Sequence, residues 1–482
     1  MTLSSWVVVL LVWQPPSADA LKDAAGLIKK LMQIRNIPFF LVLVSCLVPL
    51  IGAFLNVNVF RTQFILSAIA LSLVFVQTRK LYVINNAWMI FAACTLLFLV
   101  AFQIVTGRGY IIIATGGLVL ILAFVYCSLF LNGTGCDVEE IIDNTSFVYK
   151  FLTIGITIEA IVILFGFQSQ LALIIGKSYI SHNSAELFNY LGFQVTGLNS
   201  ILLANQIAGM LSLFSTIWFL GIAKVATNNN IVKNSRYWAA LSILNYIFAS
   251  NGLSTLLLVI AIGIYALIVE KQHRKLYAFA MCLFLFGLYL LVDRGMLLGK
   301  IFNYQFAITQ ADKLIFSKYT AIGESDSLPG LEYYRVSFFS PLIYWNSEGI
   351  IDKVFGLLGQ EFLAERSAMA SECGICVGLV TTGLVWIIVF CGAVLGICLP
   401  GLKAIDDCSE FLPWLVLRQV NSVITILWGL SSIHYTYAFT NSGGVALFAM
   451  HLAIAAYSHN RLVKLKFKSI SLESSQNSTA HS

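Results

Sequence analysis

Long apolar runs joined by short polar turns follow one another along most of this chain. About 20 consecutive apolar residues cross the hydrocarbon core of a bilayer, and most of these runs reach that length. The pattern therefore predicts about twelve membrane spans, with both ends of the chain on one side. The predicted spans are residues 37–56, 62–78, 82–105, 110–131, 147–166, 200–222, 234–250, 253–269, 276–292, 373–400, 412–433 and 436–457.

Composition leads to the same class of protein. Of the 482 residues, 59% are hydrophobic and only 11% are charged, against about 25% charged in soluble proteins. A membrane β-barrel is excluded because its strands alternate apolar and polar residues over about 10 positions, whereas these runs are continuously apolar. We therefore expect an all-α fold, a polytopic helical membrane bundle, for which the family resemblance given below implies the bacterial inner membrane.

Basic residues indicate how the bundle is oriented. Short cytoplasmic loops carry an excess of Lys and Arg. Alternate turns of this chain show that excess, while the opposite short turns carry only Arg61, Arg108 and Lys177. Segments 167–199 and 293–372 are then predicted to lie on the periplasmic side. The basic positions are Arg79, Lys80, Lys150, Lys224, Lys233, Arg236, Lys271, Arg274, Lys275, Lys403, Arg461, Lys464, Lys466 and Lys468.

These patterns divide the chain into five parts. Residues 1–36 form an N-terminal segment with an apolar start. That start lacks the Lys or Arg of a signal peptide, so a start codon placed too far upstream explains it at least as well as a signal peptide does. Residues 37–292 hold the first nine spans, and 293–372 form a periplasmic loop rich in turn-formers. Residues 373–460 hold the last three spans, and 461–482 form a Ser-rich cytoplasmic tail predicted to be disordered.

The two periplasmic segments contain the polar residues most suited to chemistry. Segment 167–199 is too polar for a span and too apolar for a free loop, so we expect a short helix on the membrane surface. In the long loop, a turn-rich stretch at 324–330 precedes Arg335, and residues 336–345 fit a short amphipathic helix. The loop is the predicted catalytic segment.

Three side chains are candidate catalytic residues. The Arg335 guanidinium is always charged and fits phosphate oxygens, although it equally fits a solvated loop arginine. His434 lies at the outer end of a predicted span, where it is able to transfer a proton or simply form interfacial hydrogen bonds. Glu372 precedes the next span and fits a general base or an ordinary boundary carboxylate.

Other kinds of site receive little support. Most of the ten cysteines fall within apolar runs, where Cys behaves as a small hydrophobe. Cys373 and Cys376 form a single pair, and structural zinc needs four ligands. No Walker loop, GxSxG elbow or HExxH motif occurs. We therefore predict no metal and no cofactor, and the distribution of positive charge among short loops makes nucleic acid an unlikely partner.

The order of these features resembles bacterial O-antigen and capsular polysaccharide polymerases and the related O-antigen ligases, over roughly residues 192–457. The resemblance matches an Arg before an amphipathic helix to Arg335, and a late His to His434. The remaining matches are a Gly-rich turn at 192–197 leading to Asn205, the turn Phe355 to Gly359, the pair Ser371-Glu372, and Gly383. Gln194 stands where the family often has an arginine, a difference that Lys177 would compensate.

The resemblance implies transfer of a growing glycan from undecaprenyl diphosphate to an incoming lipid-linked repeat unit. Arg335, supported by Arg294, would stabilise the departing diphosphate, and Glu372 or His434 would accept the proton of the acceptor hydroxyl. Lys177, Gln194 and Tyr334 would contact substrate. The implied partners are the undecaprenyl-diphosphate-linked oligosaccharide, membrane lipid and a chain-length-regulating co-polymerase.

Two alternatives remain open. A ligase would transfer glycan to the lipid A-core, but ligases usually carry a His-Asn pair before the span that follows the loop, and residues 361–372 contain no histidine. A lipid-linked oligosaccharide flippase would place charged side chains within its spans. Glu159 and Arg418 are the notable charges there, and intramembrane charges usually mark transport pathways.

Overall fold

The computed structural model shows a helical protein. It describes residues 37–55, 72, 87–105, 117–132, 137–165, 167, 205–225, 229–247, 263, 345, 349–356, 374–402, 411–431 and 442–479. Within these ranges every regular element is a helix and no strand occurs. The helices are α1 (Ile37–Leu55), α2 (Ala87–Val105), α3 (Leu118–Asn132), α4 (Val138–Leu164), α5 (Asn205–Val225), α6 (Asn229–Ile247), α7 (Ile350–Phe355), α8 (Gly374–Cys398), α9 (Leu412–Ser431) and α10 (Ser442–Thr479).

Three stretches of helix within the described ranges are long and apolar enough to cross a membrane. They are Val138–Leu164, Ala208–Val225 and Thr382–Leu402, the last continuing from α8 into a 3₁₀ turn. Large apolar side chains such as Leu97 and Ile388 are 70% and 60% exposed, as lipid-facing residues are in a membrane helix. The all-α prediction is therefore confirmed for these residues, and the helices are consistent with a membrane protein. The number of spans and the side of the long loop stay predictions.

Most helix bounds lie close to the predicted spans, but α4 begins earlier than predicted. It starts at Val138 instead of residue 147 and runs for 27 residues. The Asp137 carboxylate accepts a hydrogen bond of 2.9 Å from the Val138 N–H, and Glu139 and Glu140 lie in the first turn, where negative charge favours the helix dipole. These acidic residues lower the local hydropathy, so the apolar pattern did not include them. They nevertheless stabilise the first turns of the helix.

Helix α10 lies at the centre of the bundle. Every residue from Gly443 to Ser458 is buried, because α1, α3, α8 and α9 all pack against it. A helix that is apolar all round is normally enclosed by others. The helix also continues to Thr479, where the sequence had predicted a disordered tail from residue 461. No Gly or Pro follows Gly444 within it, so nothing in the backbone ends the helix at the membrane surface.

Helices α9 and α10 pack antiparallel along most of their buried length. Contacts between them advance along α9 as they recede along α10. They include Trp428 with Phe448 (centroids 6.4 Å apart), Asn421 with His451 (2.7 Å) and Trp414 with Tyr457 (centroids 5.8 Å apart). The pair therefore presents a continuous interface from one end of the bundle to the other.

Helices α5 and α9 pack closely because Gly221 on α5 has no side chain. A Cβ atom added at Gly221 would overlap Cγ2 of Val420, a β-branched residue with little rotamer freedom. We expect Gly221→Ala to lower the free energy of unfolding in detergent by about 1–3 kcal/mol through overpacking. In a Val420→Ala background the same change should cost less, with a coupling of at least about 0.5 kcal/mol.

The matched control for this prediction is Gly429→Ala on α9, where an added Cβ has no atom within 4 Å. Alanine there should leave stability unchanged or raise it by up to about 1 kcal/mol through helix propensity. Additive effects of Gly221→Ala and Val420→Ala would contradict the described packing.

Candidate functional site

The described ranges contain none of the site residues predicted from the sequence. Their positions relative to one another are therefore untested, and their proposed roles stay predictions. These residues are Lys177, Gln194, Arg294, Tyr334, Arg335, Glu372 and His434.

A part of the predicted catalytic loop, residues 349–356, is described, however, and it is folded. Helix α7 begins after Gly349 and ends at Gly356, whose φ is +92°. The Trp345 indole N–H donates a hydrogen bond of 3.1 Å to the carbonyl oxygen of Lys353, and the Lys353 ammonium lies 5.8 Å from the centre of the Trp345 ring. Both polar contacts of Trp345 are thus made within the loop segment itself.

Helix α7 docks where α8 is interrupted. Gly383 has φ +80° and ψ 168°, which breaks the helical path of α8. A Cβ atom there would overlap the Val354 carbonyl oxygen and lie 2.6 Å from the carbonyl carbon of Phe355. The backbone of α7 therefore approaches α8 through a notch that only glycine leaves open.

A second contact fastens the same segment to α2. The ring of Phe355 lies 4.8 Å from that of Phe102, centre to centre, near the end of α2. The notch at Gly383 is also next to the start of the candidate span Thr382–Leu402. Residues 354–356 of the long loop are consequently held against one end of a helix long enough to cross a membrane. Phe355, Gly356 and Gly383 all belong to the pattern on which the family resemblance is based.

A buried histidine joins three helices in the interior of the bundle. The Tyr149 hydroxyl on α4 lies 2.6 Å from Nε2 of His451, and Nδ1 of His451 lies 2.7 Å from Oδ1 of Asn421 on α9. The amide nitrogen of Asn421 donates in turn to the Leu417 carbonyl oxygen, 2.7 Å away. His451 is completely buried, so its two ring nitrogens depend on these side chains for their hydrogen bonds.

The partners determine which ring nitrogen carries the proton. A carbonyl oxygen only accepts, so Nδ1 donates to Asn421 and Nε2 of the neutral ring accepts from Tyr149. With both nitrogens engaged and no exposed surface, His451 has no free position for a substrate. We interpret the Tyr149–His451–Asn421 chain as a structural joint, of the polar kind that holds membrane helices together.

A second polar cluster links α4 to α5 and α6. The hydroxyls of Thr153, Ser215 and Ser242 form a triangle with oxygen separations of 2.9, 2.8 and 3.4 Å. The amide nitrogen of Asn245 donates to the Thr153 carbonyl oxygen at 3.0 Å, and its oxygen accepts from the Thr157 hydroxyl at 3.1 Å. These side chains satisfy one another inside the bundle, so the cluster also serves packing.

The two charged residues that the sequence places inside spans differ in exposure. Glu159 on α4 is buried and Arg418 on α9 is half-buried. In the described ranges no group of three or more His, Cys, Asp or Glu side chains is arranged to hold a metal ion. The polar features of the described interior are therefore the hydrogen-bonded joints, buried Glu159 and half-buried Arg418.

His451 was not among the residues predicted from the sequence, because only the charged side chains Glu159 and Arg418 were singled out within the spans. A usable signal was present: His451 interrupts the apolar run from Val445 to Tyr457, and an ionisable residue in the middle of a span needs a partner. Identifying Tyr149 and Asn421 as those partners required the packing of α4 and α9 against α10.

Comparisons with protein-family models, with curated proteins and with solved structures give no match to this chain. The resemblance to polysaccharide polymerases therefore rests on the residues quoted above, and it remains a prediction.

Proposed function

We propose that this protein is a membrane glycosyltransferase that polymerises undecaprenyl-diphosphate-linked oligosaccharide repeat units into O-antigen or capsular polysaccharide. One observation supports the proposal most directly, namely the docking of Phe355 and Gly356 in the notch at Gly383. A polymerase of this kind acts on two lipid-anchored substrates, so its catalytic loop must rest on the membrane. The described part of the predicted loop, residues 349–356, packs against a candidate span, which supports this requirement.

In the proposed mechanism the loop provides positive charge and the neighbouring helix ends provide a base. Arg335, with Arg294, stabilises the diphosphate as the bond to the donor sugar breaks. Glu372 or His434 takes the proton from the acceptor hydroxyl as the new glycosidic bond forms. No step needs a metal or a cofactor. The active site would face the periplasm, on the side opposite the basic turns.

The test is complementation of a deletion strain, with polymer length scored on gels at matched protein level. Arg335→Ala should reduce chains longer than one repeat by at least about 100-fold, since losing one charged stabilising group costs about 2.7–4 kcal/mol. His434→Ala should reduce them about tenfold or more. Arg236→Ala, which removes an exposed arginine from α6, is the matched control and should leave the ladder unchanged.

The same gels separate the competing functions. A polymerase defect leaves single repeats capped on the core lipid, whereas a ligase defect leaves long polymer that never reaches its acceptor. Wild-type ladders from both Arg335→Ala and His434→Ala would remove the site assignment.

A flippase for the lipid-linked oligosaccharide is the second candidate, favoured by the burial of Glu159 within α4. A buried carboxylate inside a membrane helix commonly belongs to a transport pathway. Glu159→Gln would then leave repeat units on the cytoplasmic face. Under the polymerase proposal the same variant exports its repeats normally.

A further inference from the structure

Cationic and aromatic side chains meet at the end of the α9–α10 pair that is opposite Trp428. We call Trp414, Arg418, Tyr457, His459 and Arg461 the Arg418–Arg461 cluster. Trp414 and Arg418 are one helical turn apart on α9, as are Tyr457 and Arg461 on α10, so each arginine shares a helix face with an aromatic ring. The antiparallel contact of Trp414 with Tyr457 brings the two faces together.

The Arg418 guanidinium has an N–H donor, at Nε, that no described residue accepts. Its Nη1 is 3.4 Å from Nδ1 of His459, and its Nε is buried without a hydrogen-bond partner among the described residues. His459 lies beyond the apolar run that ends at Tyr457. Burial lowers the pKa of His459, and the charge of Arg418 lowers it further, so the imidazole stays neutral beside the guanidinium. Arg418 thus keeps its positive charge and most of its five N–H donors.

Arg461 is held in position by aromatic contacts. Its Nε donates to the Tyr457 hydroxyl at 2.9 Å, and its guanidinium carbon lies 5.5 Å from the centre of the Tyr457 ring and 6.0 Å from that of Trp414. Neither Arg461 nor Arg418 forms an ion pair with a carboxylate of the described residues. Arg418 and Arg461 therefore both contact side chains of this cluster, and no carboxylate of the described residues compensates their charges.

The surroundings favour a lipid as the source of the compensating charge. Trp and Tyr are typical of the level of lipid headgroups, and Val463, one turn from the cluster, is 40% exposed. The basic turns place this end of α9 and α10 on the predicted cytoplasmic side, where leaflets carry anionic lipids. A phosphate at the headgroup level would reach both arginines while its acyl chains lie along the apolar helix surface.

We propose that the Arg418–Arg461 cluster binds the phosphate of an anionic phospholipid headgroup. The guanidinium groups supply charge-assisted hydrogen bonds to the phosphate oxygens, and Trp414 and Tyr457 keep Arg461 oriented towards it. The site is at the opposite end of α9 from Ser431, the last described residue before the predicted catalytic residue His434 in the sequence. It is therefore independent of the proposed polymerase activity.

The binding test uses the purified full chain in vesicles of phosphatidylcholine and spin-labelled phosphatidylglycerol. Arg418→Gln and Arg461→Gln should each weaken selectivity for phosphatidylglycerol about fivefold, and the double variant about thirtyfold. Arg236→Gln, which removes an exposed arginine on the same predicted side, is the control and should retain selectivity. If Arg418→Gln does not fold, Arg418→Lys takes its place, and it should show a smaller loss because it keeps the charge without the fork.

Several outcomes would overturn the proposal. Equal affinity of the wild type for phosphatidylcholine and phosphatidylglycerol would do so, as would equal losses from Arg236→Gln and Arg418→Gln. If millimolar inorganic phosphate fully occupied the site in neutral vesicles, the site would be assigned to a soluble anion instead.

The acidic sequence that precedes α9 provides a further discriminating variant. Asp406, Asp407 and Glu410 lie outside the described ranges and close to the cluster in sequence. If these acids neutralise the arginines, the wild type will be unselective, and the triple change to Asn, Asn and Gln will create selectivity. That result would also overturn the proposal, whereas selectivity already present in the wild type supports it.

Discussion

Replacing Gly383 by alanine should destabilise the protein by at least about 3 kcal/mol and abolish polymer formation. Alanine at φ +80° and ψ 168° occupies a region that is nearly restricted to glycine, at a cost of about 1–3 kcal/mol. The new Cβ also overlaps the backbone of α7, which cannot rotate away as a side chain can. The measurements are the apparent melting temperature in detergent and the polymer ladder in cells.

Gly429→Ala is the control, because it adds the same methyl group to a helix of the same bundle in open space. It should raise or maintain the melting temperature. A second variant, Phe355→Ala, removes the ring contact with Phe102 while leaving the backbone of Gly383 unchanged. If Gly383→Ala and the wild type have the same apparent melting temperature, the loop does not dock as described.

His451→Ala should have the second large effect, lowering the free energy of unfolding by about 2–4 kcal/mol. The change empties a completely buried position and leaves the Tyr149 hydroxyl and the Asn421 carbonyl oxygen without their partner. Unfolding in mixed micelles, followed by tryptophan fluorescence, measures the loss. Trp218 is a suitable reporter, since its ring lies 6.4 Å from that of His451.

Two matched changes separate the hydrogen bonds from the volume of the ring. Tyr149→Phe removes one donor and almost no volume, so it should cost about 0.6 kcal/mol, the usual value for one hydrogen bond between membrane helices. His459→Ala removes a half-buried histidine from the same helix and should cost less than His451→Ala. Equal stability of His451→Ala and wild type would contradict the role of the joint.

Local hydropathy was sufficient to locate several helices. The run predicted at 412–433 corresponds to α9 (Leu412–Ser431), and that at 37–56 corresponds to α1 (Ile37–Leu55). Both bounds depend on the length of an apolar run, which the sequence displays directly. The start of α4 was missed because its first turns are acidic and are favoured by an N-cap and a helix dipole, neither of which contributes to hydropathy.

Packing between helices was beyond the reach of the same pattern. Apart from His451, the apolar run of α10 does not distinguish an enclosed helix from a lipid-facing one, because both are hydrophobic throughout. The approach of α7 to Gly383 depends on one backbone angle. For the candidate site, the sequence supplied residue types suited to phosphate and to proton transfer. Arg335 and His434 lie outside the described ranges, and complementation tests the roles proposed for them.

The enclosed position of α10 has a consequence for biogenesis. This helix follows all the other described helices in the chain, yet it fills the space between α1, α3, α8 and α9. During synthesis the earlier helices must enter the bilayer before their common neighbour exists, with Asn421 and Tyr149 lacking the imidazole that later bridges them. We expect the nascent bundle to stay open around a vacant central groove, vulnerable to membrane proteases, until α10 leaves the translocon and closes it.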